Sequence, residues 1–344
     1  MNPREKLQQA TKRTDARSIA NAVTAAKRGS EEGRIQLCAA MAWAAYSCPD
    51  ATNAVCDNIA TAWLGRGPTP EIPAGLPEAP LENSFWLDFW AVIDGYDEGY
   101  DATTITVAVA SLAAAVHPDF VNIAENNAHN HPGAAAALSN PVPGYTDVDA
   151  LAKCPQDSLG LSLHNMLVDN NFDPEVLDRN AIALSELPHS LQYLNTRILQ
   201  MHDVWHLVAG YETSASHEIA ISAFQLAQFG HNYSAMFLAA VMTISTIKDP
   251  KGFTVLTQII MEAWQHGREA PAMMDIEWED EWNSSLADIR ATYKVPPYKS
   301  IFPVDLMESV ESGSTWKKLQ LAYQLSRYNL RLRFNNRQPL PSGA

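Results

Sequence analysis

The sequence predicts an all-α fold. Its long segments are dominated by Ala, Leu, Gln, Glu and Met, which are strong helix formers. No run alternates apolar and polar residues between turn signals, the pattern a half-buried strand requires. Five prolines (Pro68, Pro70, Pro73, Pro77, Pro80) crowd the break between Arg66 and Pro80, and proline cannot continue a helix.

In chain order, residues 1–28, 31–47 and 50–64 read as helices, closed by that extended connector. The helical pattern resumes over 83–94 and 103–116. A second connector, 126–144, is interrupted by Pro132, Pro141 and Pro143. Helices follow over 158–170, 188–209, 214–230, 232–247, 251–266 and 280–293, and Pro296, Pro297 and Pro303 end that block. A last amphipathic helix is predicted over 314–333, with Leu321, Leu325, Tyr328 and Leu332 on one stripe. These breaks suggest a helical N-terminal region over 1–145, a second helical domain over 146–300 and a basic helical segment within 301–344.

With 47% hydrophobic residues and nine Trp, the chain can bury a large core, so disorder is excluded for most of it. A formal net charge of −15 makes it a poor nucleic-acid binder. The charge is unevenly spread. From Gly313 onward there are six basic residues (Lys317, Lys318, Arg327, Arg331, Arg333, Arg337) and no acidic one, leaving residues 1–312 with a net of −21. Four cysteines (Cys38, Cys48, Cys56, Cys154) without a C-x-x-C pair read as free buried thiols of a reducing cytoplasm. No apolar segment near Met1 marks a secretory signal. The first 28 residues hold seven basic and two acidic residues, which suits an organellar presequence or a solvated first helix equally. The uncharged stretches Ile219–Ile247 and Ala102–Pro118 do not read as membrane spans. The first is either the wall of a lipid-accepting cavity or an ordinary buried helix pair. Phe85, Trp86, Phe89 and Trp90 read as core; Glu277, Glu279, Asp280 and Glu281 as a solvated acidic face. His129 and His131 lie in a proline-rich connector and are set aside.

One segment carries chemistry. His202 and His206 are i and i+4 on a predicted helix, so both imidazoles can reach one cation. Asp203 lies about 100° round the helix from His202, near enough to ligate or to orient a water. Gly210 and Tyr211 end this helix, and Thr213, Ser214 and Ser216 are N-cap candidates for the next. That places Glu218 in the first turns of a second helix that could aim it back. Two imidazoles with one or two carboxylates suit zinc, and also iron or manganese. The nearest chemical relative of the spacing is H-E-x-x-H, the zinc hydrolase motif, but Asp203 in place of its Glu is one methylene shorter.

The arrangement H-D-x-x-H-(x)11-E, carried by His202, Asp203, His206 and Glu218, resembles the hallmark of the Coq-four family of ubiquinone biosynthesis. Cys154-Pro155-Gln156-Asp157-Ser158-Leu159-Gly160 resembles its L-P-x-G-T-L-G, with Cys154 for Leu and Asp157-Ser158 for Gly-Thr. Phe172-Asp173-Pro174 and Arg197 agree, as do Trp264 to Arg268, Glu277-Trp278-Glu279 and Leu286 to Arg290. The resemblance covers roughly residues 150–298; residues 1–145 match nothing in it.

The resemblance implies a helical protein that binds a divalent metal, zinc first and iron or manganese otherwise, through His202, Asp203, His206 and Glu218. Asp203 would be a fourth ligand or a base beside the metal. The implied function is coenzyme Q assembly: removal of the carboxyl group at ring carbon one of a polyprenylated benzoate, with hydroxylation there. The metal and its four residues would be catalytic, and Arg268 a candidate clamp for the substrate carboxylate. Zinc has no redox chemistry, so dioxygen would have to react directly with the ring, or another metal serve. The alternatives are a non-catalytic lipid-binding scaffold for quinone-biosynthesis enzymes and a metallohydrolase. The expected partners are a polyprenylated aromatic molecule, a membrane surface bound peripherally, other quinone-biosynthesis enzymes and a second copy of the chain, and no nucleic acid. The expected location is the cytoplasmic face of a bacterial inner membrane or the matrix side of the mitochondrial one.

Overall fold

The predicted first helix is two helices, α1 (Pro3–Ala10) and α2 (Ala16–Lys27), in the computed structural model, which describes residues 1–100, 102–175, 178–180, 182–307 and 328. The cause is local. Asn2 and Glu5 form a capping box over α1, and Asp15 accepts from Ser18 N at 2.8 Å, starting a new helix in mid-run. α3 (Glu31–Tyr46) and α4 (Thr52–Leu64) follow as expected. The proline-rich connector contains no regular element, and α5 (Asn83–Asp94) and α6 (Ala102–Ser111) come next. α7 (Asp119–Asn130) corrects the second connector: residues 126–130 are helical. Phe120, Ile123, Ala124, Asn127 and Ala128 are buried at helical spacing, so tertiary packing overrides the poor helix propensity of the asparagines.

Then come α8 (Val148–Leu151), α9 (Leu159–Asn170), α10 (His189–Ala209), α11 (Ala215–Phe229), α12 (Asn232–Ile247), α13 (Phe253–Glu269) and α14 (Leu286–Tyr293). α14 starts later than the expected residue 280, because the Ser285 side chain accepts from Asp288 N at 3.1 Å and fixes the cap there. Among the described residues every regular element is helical. The predicted helix over 314–333 lies outside them except for Tyr328, whose hydroxyl donates to Gln258 Oε1 at 2.7 Å.

One hydrophobic core runs through both halves of the chain. α3 lies along α12, where Tyr46 Oη donates to Met236 O at 2.8 Å and the Cys38 thiol to Met242 O at 3.2 Å. α4 lies on α13: buried Asp57 accepts from Trp264 Nε1 at 2.9 Å and from Arg268 at 3.2 Å. α11 and α13 also pack closely. A β-carbon on Gly267 would stand 2.8 Å from Phe224 O, so only glycine permits that approach.

α12 is buried almost throughout and packs against α3, α11 and α13. A cleft of about 490 Å³ lies elsewhere, between residues 143–154 and Gln200, Glu279 and Trp282. Phe85 and Phe89 are fully buried and Trp86 nearly so, stacked edge and face as core. All four cysteines are free, Cys154 alone being half-buried. No single described helix is long and apolar enough to cross a membrane. The pair Thr104–Ala114 and Asp119–Asn130 has the length and composition together, but bends by 109°.

Candidate metal centre

α10 carries polar side chains into the interior. Leu191, Leu194, Ile198, Val204 and Trp205 are buried, but so are Arg197, Gln200, Asp203 and His206. Buried polar groups must find partners there. Gln200 Nε2 donates to Gly144 O at 2.8 Å. Arg197 donates to Ile276 O at 3.2 Å and pairs with Glu279 at 2.9 Å. Glu279 is exposed, as expected of a solvated face, yet it is engaged by the buried Arg197. Partial desolvation works against the carboxylate, but the Arg197 guanidinium outweighs that and holds its pKa below the usual range. Glu281 likewise accepts from Tyr293 Oη at 2.7 Å.

His202 and His206 project from one side of α10 with their Nε2 atoms 3.0 Å apart. Gly210, at φ 77°, ends the helix in the left-handed conformation. The turn delivers α11 so that Glu218, in its first turn, faces back. Its Oε2 lies 3.4 Å from His202 Nε2 and its Oε1 3.4 Å from His206 Nε2. Ser214 stands at the N-cap position but does not cap: its hydroxyl and that of Ser216 donate to Val304 O at 2.8 and 2.9 Å. Asp203, also buried, offers a carboxylate oxygen that, with one nitrogen from each histidine, forms a group lying within 4.8 Å of one another.

The electrostatics are those of a site built for positive charge. Burial alone would raise the pKa of Glu218, but hydrogen bonds and charge from His202 and His206 reverse this and hold it far below the carboxylate range. Burial would lower the pKa of His202, but Glu218, Asp203 and Gln225 together raise it. Asp203 has its pKa raised by burial; both histidines oppose the shift and Glu218 adds to it. A buried carboxylate and a half-buried one beside two imidazoles need a cation or protons to balance them.

The donors fit a metal. A tetrahedral ion with ligand bonds of about 2.05 Å has donor–donor edges of about 3.3 Å, against the 3.0, 3.4 and 3.4 Å found here. Imidazole and carboxylate donors accept zinc, iron or manganese alike.

The four motif residues are thus brought together. Arg268 is placed against Asp57. His129 is exposed, and His131 is buried with its Nδ1 accepting from Gly133 N at 3.2 Å. Three participants were missed in the sequence. Tyr211 O lies 3.1 Å from His206 Nδ1, a backbone contact that no residue type announces. Gln225 lies 2.8 Å from His202 Nδ1; its position seven residues after Glu218, on the same helical face, was the available signal. His231 is held by Ser234 Oγ at 2.9 Å and Asn195 Oδ1 at 3.1 Å, its pKa pushed down to about 3 by burial and then by His202.

Comparison with known proteins gives matches over the segment that carries these residues. Residues 139–299 match the family model Coq4, described as coenzyme Q (ubiquinone) biosynthesis protein Coq4. A mitochondrial ubiquinone biosynthesis protein COQ4 homologue of Drosophila ananassae is 28% identical over 145 residues, 42% of this chain and 53% of that protein. The Rattus norvegicus homologue is 26% identical over 156 residues, 45% of this chain and 57% of that protein. The chain therefore spans about half the length of the curated relatives it matches. A crystal structure from Nostoc punctiforme, described as a candidate ubiquinone biosynthesis protein, aligns with a TM-score of 0.49 at 22% identity, over 62% of this chain and 97% of that one. Over residues 139–299 the chain is thus similar to the Coq4 family of ubiquinone biosynthesis proteins, in the segment that carries the motif and its flanks.

Proposed function

We propose that this protein serves coenzyme Q assembly as a metal-dependent enzyme, replacing the carboxyl group at ring carbon one of a polyprenylated benzoate by hydroxyl, with dioxygen as oxidant and two electrons from a reductant, and releasing carbon dioxide and water. The observation that carries the proposal is the cluster of His202, His206 and Glu218, whose donor atoms stand at the edge lengths of a metal polyhedron. A divalent ion bound there, zinc in the first instance, would supply Lewis acidity toward a carboxylate or phenolate oxygen. The protein's own part is positioning. The Tyr211 carbonyl accepts from His206 Nδ1 and leaves Nε2 with its lone pair toward the site. Glu218, with 30% of its side chain accessible, marks the open side through which a ring substituent would approach. Asp203, its pKa raised, is suited to hold a proton beside the reacting centre.

A second reading has one observation in its favour. The donors come from two consecutive helices, so a bound ion would also staple α10 to α11, as a scaffold requires. Metal analysis of the purified full chain, with mass spectrometry of co-purifying lipid, is expected to find about one ion per chain and an isoprenoid. His202→Ala and Glu218→Ala are each expected to lose the ion and to fail to support quinone production in cells. A folded Glu218→Ala protein that still supports production would sink the catalytic reading and leave the scaffold. The working surface would be a membrane, engaged peripherally alongside other quinone-biosynthesis enzymes.

A further inference from the structure

The two imidazoles of the cluster are oriented by different kinds of partner. His206 Nδ1 faces the Tyr211 backbone carbonyl at 3.1 Å. A carbonyl only accepts, so Nδ1 carries the hydrogen and Nε2 keeps a lone pair. His202 Nδ1 faces the side-chain amide of Gln225, in α11, at 2.8 Å. An amide can present either end, and the two ends choose opposite tautomers. With Nε2 of Gln225 donating, as it lies in the structure, His202 carries its hydrogen on Nε2, 3.0 Å from His206 Nε2 and 3.4 Å from Glu218. With Oε1 of Gln225 accepting, the hydrogen moves to Nδ1 and the Nε2 lone pair is freed for a ligand bond.

From this geometry we infer that Gln225 is the positioning residue of the centre: rotation of its amide about χ3 sets whether His202 can ligate. The inference rests on the metal reading given above. Three observations support it. Gln225 is only 3% exposed, so no water competes for His202 Nδ1 on that side. It stands two helical turns after Glu218 on the same face of α11, so one rigid helix delivers both a donor and the group that orients another donor. The corresponding contact of His206 is fixed in the ligating sense by a group that cannot reverse. Gln225 is thus the one adjustable member of the pair of imidazole contacts.

The test is metal affinity of the full-length chain for Zn2+ and Co2+ by chelator competition, with the visible spectrum of the Co2+ form. Gln225→Met keeps length and apolar volume but offers His202 Nδ1 no acceptor. It is expected to weaken binding of both ions 10–100-fold and to shift the cobalt bands, with far-UV circular dichroism and thermal midpoint unchanged. Gln225→Glu can only accept, which holds His202 in the ligating tautomer, and is expected to bind at least as tightly as the natural chain. Unchanged affinity and spectrum in Gln225→Met would overturn the inference, and so would a Gln225→Glu chain that binds as weakly as the Met variant. Should Gln225→Met fail to fold, Gln225→Glu decides alone, since weaker binding than the natural chain counts against the inference. Absence of binding by the natural chain would overturn the metal reading as well; binding by it without response to Gln225→Met overturns this inference only.

Discussion

His131 sits 2% exposed with Gly133 N bonded to its Nδ1, and burial, reinforced by the charge of Arg268, pushes its pKa down to about 4. The unfolded chain binds a proton there near the ordinary value of about 6.5, whereas the folded chain stays neutral until about 4. The unfolded state therefore binds more protons in that window, and stability falls as pH falls through it, by about 3 kcal/mol across the whole interval. Urea midpoints measured from pH 7.5 to 4 should show this loss, and His131→Gln should flatten it. An equally steep decline in that variant would assign it elsewhere. At the same scale, His202, Asp203, His206 and Glu218 were legible because helical periodicity converts spacing into direction. Gln225 was not, because its meeting with His202 depends on the register of α11 against α10. Glu279 looked like one more acid in an acidic run, and only the fold places buried Arg197 against it.

At the scale of helices, a polar tie between the region before residue 139 and the family segment is α4 on α13. Asp57 is buried and takes a hydrogen bond from Trp264 Nε1 and a forked contact from Arg268. Asp57→Ala leaves the indole and the guanidinium without their acceptor. It is expected to cost about 2–3 kcal/mol, read as a lower denaturant midpoint at unchanged slope, while Asp57→Asn keeps the indole bond and should lose less. A midpoint unchanged in the alanine variant would show that α4 is held by apolar packing alone. Helix positions were largely legible, because prolines and caps punctuate the sequence. The division of α1 from α2 was not, since Asp15 looks like one more polar residue until it accepts from Ser18 N. α7 reached past Asn126 because its buried face, not its propensity, sets its end.

For the whole molecule, the sequence divided the chain near residue 145, whereas the core is continuous across that point. Contacts such as Tyr46 with Met236 join residues 190 apart, and no local pattern reveals so distant a pairing. The charge split belongs to this scale as well. An acidic body would be repelled by anionic headgroups, whereas the six basic residues after Gly313 would be drawn to them. Deleting residues 314–344 is expected to weaken binding to anionic liposomes at low salt, checked by co-sedimentation. Equal sedimentation of the shortened chain would remove the segment's docking role.

The unequal support of the two imidazoles bears on how the chain can change over generations. The contact on His206 comes from the main chain at Tyr211, so any residue there that keeps the turn hands it on. The contact on His202 comes from a side chain and is written into one codon. Substitution can therefore retune the centre at position 225, whereas at 211 the same freedom leaves His206 as it is.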